Sequence, residues 1–271
     1  MDRLPALREV VTIDWEGLPK LKTVDLGDGL DKVGNVTLKS TNLTDVSPLA
    51  TEKVGKWSIL DHPSLKVADL PKITTYEEFS ATSNNKTLEL VLSGVTAAGM
   101  TSLDNLKVVN LDSLETTTGT LYILGYLDDL LTFPALRHAA GIKMELEIKD
   151  LKFPVLETIH GNFDVRVTDT KISLPALEGV DGDFILNIDN AKNCTAFSDF
   201  KVSGSKYYCQ SNGTTHHYNM DGSYTNSVPN VSVGVPDNET FGTENGAVGR
   251  GGLWAGLSMV VPLLAAMAVV L

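Results

Sequence analysis

Three pairs of closely spaced carboxylates are the side chains best able to do chemistry: Asp128 and Asp129, Asp164 and Asp169, and Asp181 and Asp183. Two acids on one face can protonate and attack a glycosidic bond, which is how polysaccharide hydrolases on β-helical scaffolds work. Each pair here sits beside a turn or on an outward strand position, where a solvated acid is the ordinary outcome, so no catalytic residue is assigned. His216-His217 could begin a metal site, but no other ligand lies at metal-site spacing and no metal is expected. There is no Gly-rich phosphate loop, nucleophile elbow or Cys/His catalytic arrangement. The chain is therefore expected not to be an enzyme and to need no cofactor.

Modification chemistry is better represented. Asn-x-Ser/Thr sequons stand at Asn35, Asn42, Asn85, Asn193, Asn212, Asn230 and Asn238. With 16 Asn in the chain, chance would supply about two or three such triplets, and sugar is added only in the secretory lumen. The C-terminus points the same way: Leu253–Leu271 reads LWAGLSMVVPLLAAMAVVL, without a charge, and would make roughly 28 Å of helix, close to a bilayer core. Small residues at Asn245-Gly246-Ala247 and a Gly-rich spacer precede it. Small residues, spacer and terminal apolar run form the signal for exchange to a glycosylphosphatidylinositol (GPI) anchor, with attachment expected at Asn245 or, with a longer spacer, at Gly242. The alternative is a tail anchor on a cytosolic protein. The opening MDRLPALREVVTIDWEGLPK has no apolar core of signal-peptide length, so a secreted product requires upstream sequence and the start reads as truncated.

Composition narrows the partners. Acidic residues outnumber basic ones 34 to 22, for a net charge of −12, and nucleic acid is excluded because phosphate binding needs a basic face. Two cysteines are too few for a disulfide scaffold or a four-cysteine zinc site.

The elements that carry these residues are announced by a repeat. The phrase recurs as LPALREV (4–10), LPKLKTV (18–24), LPKITTY (70–76), LDSLETT (111–117), FPALRHA (133–139), FPVLETI (153–159) and LPALEGV (174–180). Its second residue, at Asp112, Pro134, Pro154 and Pro175, recurs at intervals of 22, 20 and 21, and the gap of 41 from Pro71 to Asp112 is two units with a degenerate one around 88–94. Short alternating segments follow: Met144, Leu146 and Ile148; Phe163, Val165 and Val167; Phe184, Leu186 and Ile188. Such alternation makes half-buried strands, leaving Lys143, Glu145, Glu147 and Arg166 in water. A five-residue strand cannot bury its apolar face alone, whereas coils stacked on one another can. Proline fits the corners, since it fixes φ and donates no ladder hydrogen bond. The expected fold is an all-β, right-handed parallel β-solenoid over 1–190, with coils of about 21 residues. Leu4-Pro5-Ala6-Leu7 is already a repeat phrase, so the N-terminal cap is expected to be missing.

After Ile188 the composition changes, with no Leu and no Ile from Asp189 to Gly252. The only two cysteines, Cys194 and Cys209, are 15 apart in this stretch. In an oxidising compartment they are expected to join, a loop closure worth about 3 kcal/mol; the other reading is two buried thiols. Residues 191–212 then form a stapled cap, 213–252 a glycosylated stalk, and 253–271 the removable anchor signal.

The recurring [LF]-P-x-L-x-x-[VI]-x-G and its alternating strand resemble the fungal GPI-anchored cell-wall organisation glycoproteins, the extracellular-mutant and sporulation-specific family. Their repeats are similar to the L domains of insulin- and EGF-receptor ectodomains. NCTAFSDFKVSGSKYYCQS (193–211) is similar to that family's closing segment, with Cys194 and Cys209 in the places of its two cysteines. The resemblance covers nearly all of the chain and implies a leucine-rich-repeat-like solenoid on the outer face of the plasma membrane or in the wall. It implies a role in wall integrity, wall polysaccharide or wall and membrane proteins as partners, and no catalytic residue. Alternatives are a receptor-like ligand-binding module and a β-helical carbohydrate-active enzyme.

Overall fold

Five of the recurring phrases make corners of one kind. In Leu18–Leu21, Leu70–Ile73, Leu111–Leu114, Phe133–Leu136 and Leu174–Leu177 the amide of the fourth residue donates to the carbonyl of the first. Proline suits the second place of such a turn, where φ is near its own fixed value and no donor is needed. First and fourth residues point inward within the stack, where Leu70, Ile73, Leu111, Leu114, Phe133 and Leu136 are all buried, whereas Leu18 of the first turn is exposed. The degenerate unit obeys the same rule without proline, since Val95 donates to Leu92 around Ser93-Gly94.

The computed structural model describes residues 8–24, 30–83, 86–127, 130–189, 201–204, 207–211, 214–218 and 224–226. It is an all-β solenoid of stacked parallel strands. Ten strands form one long face: β1 (Glu9–Glu16), β2 (Lys32–Lys39), β3 (Lys53–Leu60), β4 (Thr75–Thr82), β5 (Ala97–Asp104), β6 (Thr120–Tyr126), β7 (Gly141–Glu147), β8 (Phe163–Thr168), β9 (Phe184–Asp189) and β10 (Tyr207–Ser211). Each pairs in parallel with the next. Two short three-stranded sheets, Val67–Asp69 with Glu89–Val91 and Val108–Asn110, and Leu130–Thr132 with Asp150–Lys152 and Lys171–Ser173, also form.

Register turns the alternation into continuous interior columns. Met144 pairs with Val165 and Val165 with Leu186, while Ile142, Phe163 and Phe184 line up beside them. Phe163 stacks on Phe184 at 4.9 Å between ring centres, Phe184 on Tyr207 at 5.1 Å, and Phe133 on Phe153 at 5.0 Å in the corner column. Every such fully buried side chain contributes about 1.5–3 kcal/mol of transfer free energy. Lys143, Glu145 and Glu147 point to solvent, and Arg166 is half-buried.

The long strands end in a left-handed residue: Gly17, Ser40, Asp61, Asn105 and Asp169, following β1, β2, β3, β5 and β8, have φ between 51° and 64°. The final Gly of the repeat marks a close approach at the other end of the strand. The amide of Gly182 donates to the Gly161 carbonyl at 3.0 Å and that of Gly204 to Gly182 at 3.2 Å, and a Cβ at Gly182 would stand 2.5 Å from the Gly161 carbonyl carbon.

The stack is longer than the alternating Leu and Ile indicate. The last coil does not finish at Ile188, because Tyr207 and Cys209 pair with Phe184 and Leu186 and extend both inward columns. Tyr207 continues the aromatic column of Phe163 and Phe184, and a buried sulfur takes the place of an aliphatic side chain after Leu186. Thr214–Tyr218 then pairs antiparallel with β10, and Tyr224–Asn226 with it, so strand also occupies the first part of the expected stalk. Leu4–Leu7 and the segment 253–271 lie outside the described residues. Among the described residues no helix is long and apolar enough to cross a membrane.

Candidate functional site

The outward face of β5–β9 collects the side chains most suited to recognition. Because each strand is in register with its neighbours, outward residues form columns whose successive members stand about 4.8 Å apart. One column runs Ser102, Tyr122, Lys143, Asp164 and Ile185, and the next runs Asp104, Leu124, Glu145, Arg166 and Asn187. Tyr122 is the centre of this patch. The Lys143 ammonium lies 5.5 Å from its ring centroid, a cation–π placement. Arg166 Nε donates to Asp164 Oδ1 at 3.4 Å.

Electrostatics mark the same place. Burial, followed by the carboxylates of Glu145, Asp104 and Asp164, pushes the Tyr122 phenol above the ordinary tyrosine range. Burial likewise holds the Asp104 carboxyl above the usual carboxylate range. A flat strand surface with a phenol, an aliphatic side chain and both charge signs can stack on a sugar ring and hydrogen-bond its hydroxyls, or bind a mixed protein surface.

The carboxylate pairs do not assemble into one constellation. Asp164 faces Arg166 on β8 and Asp169 sits in the left-handed turn after it. Asp181 is 3.0 Å from His160 Nδ1, both exposed, and the Asp183 amide donates to Asn162 Oδ1 at 2.9 Å. Asp128 and Asp129 lie outside the described residues. No group of three or more acids, histidines and cysteines is placed to hold a metal among the described residues.

Two of the seven sequons are described. Asn35 is exposed on β2, and its Oδ1 accepts the Lys56 amide at 3.1 Å. Asn42 is half-buried; its Nδ2 donates to the Pro19 carbonyl at 2.5 Å and its Oδ1 accepts from Ser64 at 3.2 Å. Asn85, Asn193, Asn212, Asn230, Asn238, Gly242 and Asn245 lie outside the described residues. So does Cys194, while Cys209 is fully buried on β10 beneath Leu186.

Sequence reasoning passed over Tyr122, Leu124 and Asp104 because they lie outside the repeat phrase. The signal that could have found them is the outward register of TLYILGY (120–126) and of the end of β5.

No protein-family model and no solved structure matches the chain. It is 26% identical over 237 residues to Protein ecm33 of Aspergillus fumigatus, an alignment covering 76% of this chain and 59% of that protein. It is also 26% identical over 253 residues to Sporulation-specific protein 2 of Saccharomyces cerevisiae, covering 80% of this chain and 50% of that protein. The chain thus spans between half and three fifths of the length of these relatives. It is a homologue of these two fungal proteins, in keeping with its repeat phrase and its closing segment.

Proposed function

We propose that the chain is a non-enzymatic surface glycoprotein of the fungal cell wall whose outward strand face binds wall polysaccharide or a wall protein. The observation that carries this reading is the patch on β5–β9, where a phenol, an alkyl group and paired charges share one rigid face of a homologue of Protein ecm33 and Sporulation-specific protein 2. A rigid stack suits such a role, since ligand groups meet side chains whose spacing is set by the ladder. A GPI anchor attached at Asn245 or Gly242 would hold the face outside the plasma membrane, and a Cys194–Cys209 bridge would close the lower end of the stack.

Cells expressing the tagged chain behind an added secretory signal peptide test it directly. Release from membranes by a phosphatidylinositol-specific phospholipase, with a size decrease on deglycosylation, is expected. A cytosolic product without sugar would refute the reading.

A further inference from the structure

The two described sequons differ in what the fold has done with their amide nitrogens. In Asn42 both ends of the carboxamide are committed, Nδ2 to the Pro19 carbonyl at 2.5 Å and Oδ1 to the Ser64 hydroxyl at 3.2 Å, and its sequon hydroxyl, Thr44 Oγ1, donates to the Lys22 carbonyl at 3.3 Å. These bonds tie three successive coils together through one half-buried side chain. In Asn35 the oxygen accepts the Lys56 amide at 3.1 Å, and among the described residues its nitrogen has no hydrogen bond, while the side chain is exposed. Asn162 repeats this arrangement, accepting the Asp183 amide at 2.9 Å, but Phe163-Asp164 follows it and no sequon results. The Asn35 oxygen therefore does a structural task of the stack while the side chain stays exposed.

N-glycosylation uses only the nitrogen. The Nδ2–C1 bond to the sugar forms, the bond from that anomeric carbon to the pyrophosphate of a lipid-linked oligosaccharide breaks, the lipid pyrophosphate leaves and one amide proton is released. The carbonyl oxygen is untouched. A sugar on Asn35 thus leaves the Lys56 hydrogen bond intact. A sugar on Asn42 would have to occupy the space beside the Pro19 carbonyl, opening the stack and leaving half-buried polar groups unpaired, each at the cost of a lost hydrogen bond.

We propose that, of these two sequons, Asn35 carries the glycan and Asn42 stays bare as a structural amide. The inference rests on the surface-glycoprotein reading, because the sugar is available only in the secretory pathway.

The test is site mapping on the full chain directed into the secretory pathway of a fungal host. Enzymatic release of N-glycans in heavy-oxygen water converts each modified Asn to a mass-tagged Asp, read by peptide mass spectrometry. Tag at Asn35 and none at Asn42 is expected. Thr37→Ala, which destroys the Asn35 sequon while keeping its oxygen, should lower the apparent mass by one glycan with secretion unchanged. Thr44→Ala should leave the glycan count unchanged. Sugar at Asn42 of the folded, secreted chain would overturn the assignment, as would a bare Asn35 beside modified sequons elsewhere. A secreted chain with sugar at no sequon would take the surface-glycoprotein reading down with it.

Discussion

Replacing Gly182 by alanine tests how tightly the coils approach. The new Cβ would lie 2.5 Å from the carbonyl carbon of Gly161 and 2.6 Å from its oxygen, and it would also meet Asn162 Oδ1. Carbon–carbon contacts are comfortable near 3.5–4.0 Å, so the overlap is about 1 Å. The neighbour is backbone that itself accepts the Gly182 amide, and inter-strand spacing of about 4.8 Å leaves no slack. Overpacking of this kind costs about 1–3 kcal/mol, and we expect the upper end because the Gly161 backbone cannot give way even where the Asn162 side chain can. Gly179 is the control. A Cβ there meets only the Lys201 carbonyl oxygen, at 3.4 Å, so Gly179→Ala should gain about 0.4–1 kcal/mol by restricting the unfolded chain. In urea, with a slope of about 2 kcal/mol per molar, Gly182→Ala should lower the unfolding midpoint by roughly 1–1.5 M while Gly179→Ala raises it slightly. Equal midpoints for the two variants would refute the close-approach account of the repeat's final glycine.

Other parts of the stack make their own predictions. Phe163→Ala empties a fully buried site between Ile142 and the ring of Phe184 and should cost about 3–5 kcal/mol in equilibrium unfolding, since the adjacent rungs hold the cavity open. Burial pushes the Tyr76 phenol up to about 12, against the opposing hydrogen bond with Thr101 at 2.8 Å. A raised folded-state value means that its stability is fully present below pH 10 and is lost as pH rises toward 12, about 2–3 kcal/mol in all; alkaline unfolding followed by circular dichroism should steepen in that window, and Tyr76→Phe should remove the steepening. Tyr122→Ala and Arg166→Ala should each reduce retention of the purified chain on insoluble wall glucan by severalfold with unchanged circular dichroism. Unaltered retention in both would shift the binding face elsewhere.

The repeat phrase exposed the corners, and alternation at Met144–Ile148, Phe163–Val167 and Phe184–Ile188 exposed both strand and facing, because each signal is local and burial punishes deviation. The unit at Leu92–Val95 was harder to read for the same reason: the turn needs a compatible φ, not proline, so Ser93-Gly94 satisfies it invisibly. The tenth strand is harder to see because Tyr207 and Cys209, rather than Leu, Ile, Val or Phe, continue the columns of Phe184 and Leu186. The patch around Tyr122 left no trace in the phrase, since the columns that bring Asp104, Tyr122, Glu145 and Asp164 together exist only once strands 20 or so residues apart are in register.

That asymmetry between faces bears on where recognition can reside. Each inward position sees the same surroundings in every coil, so apolar volume recurs down the columns, as in Ile142, Phe163 and Phe184. Outward positions carry no such demand, and Ser102, Tyr122, Lys143, Asp164 and Ile185 share no chemical type. A glycan on Asn35 of β2 would divide this outward face. β6, which carries Tyr122, is four strand spacings away, or about 19 Å. Sugar rooted on the first coils therefore shields that end of the sheet while the Tyr122 patch stays open to a ligand. Losing that glycan through Thr37→Ala should accordingly leave glucan retention at its wild-type level, whereas Tyr122→Ala should lower it with the glycan still in place.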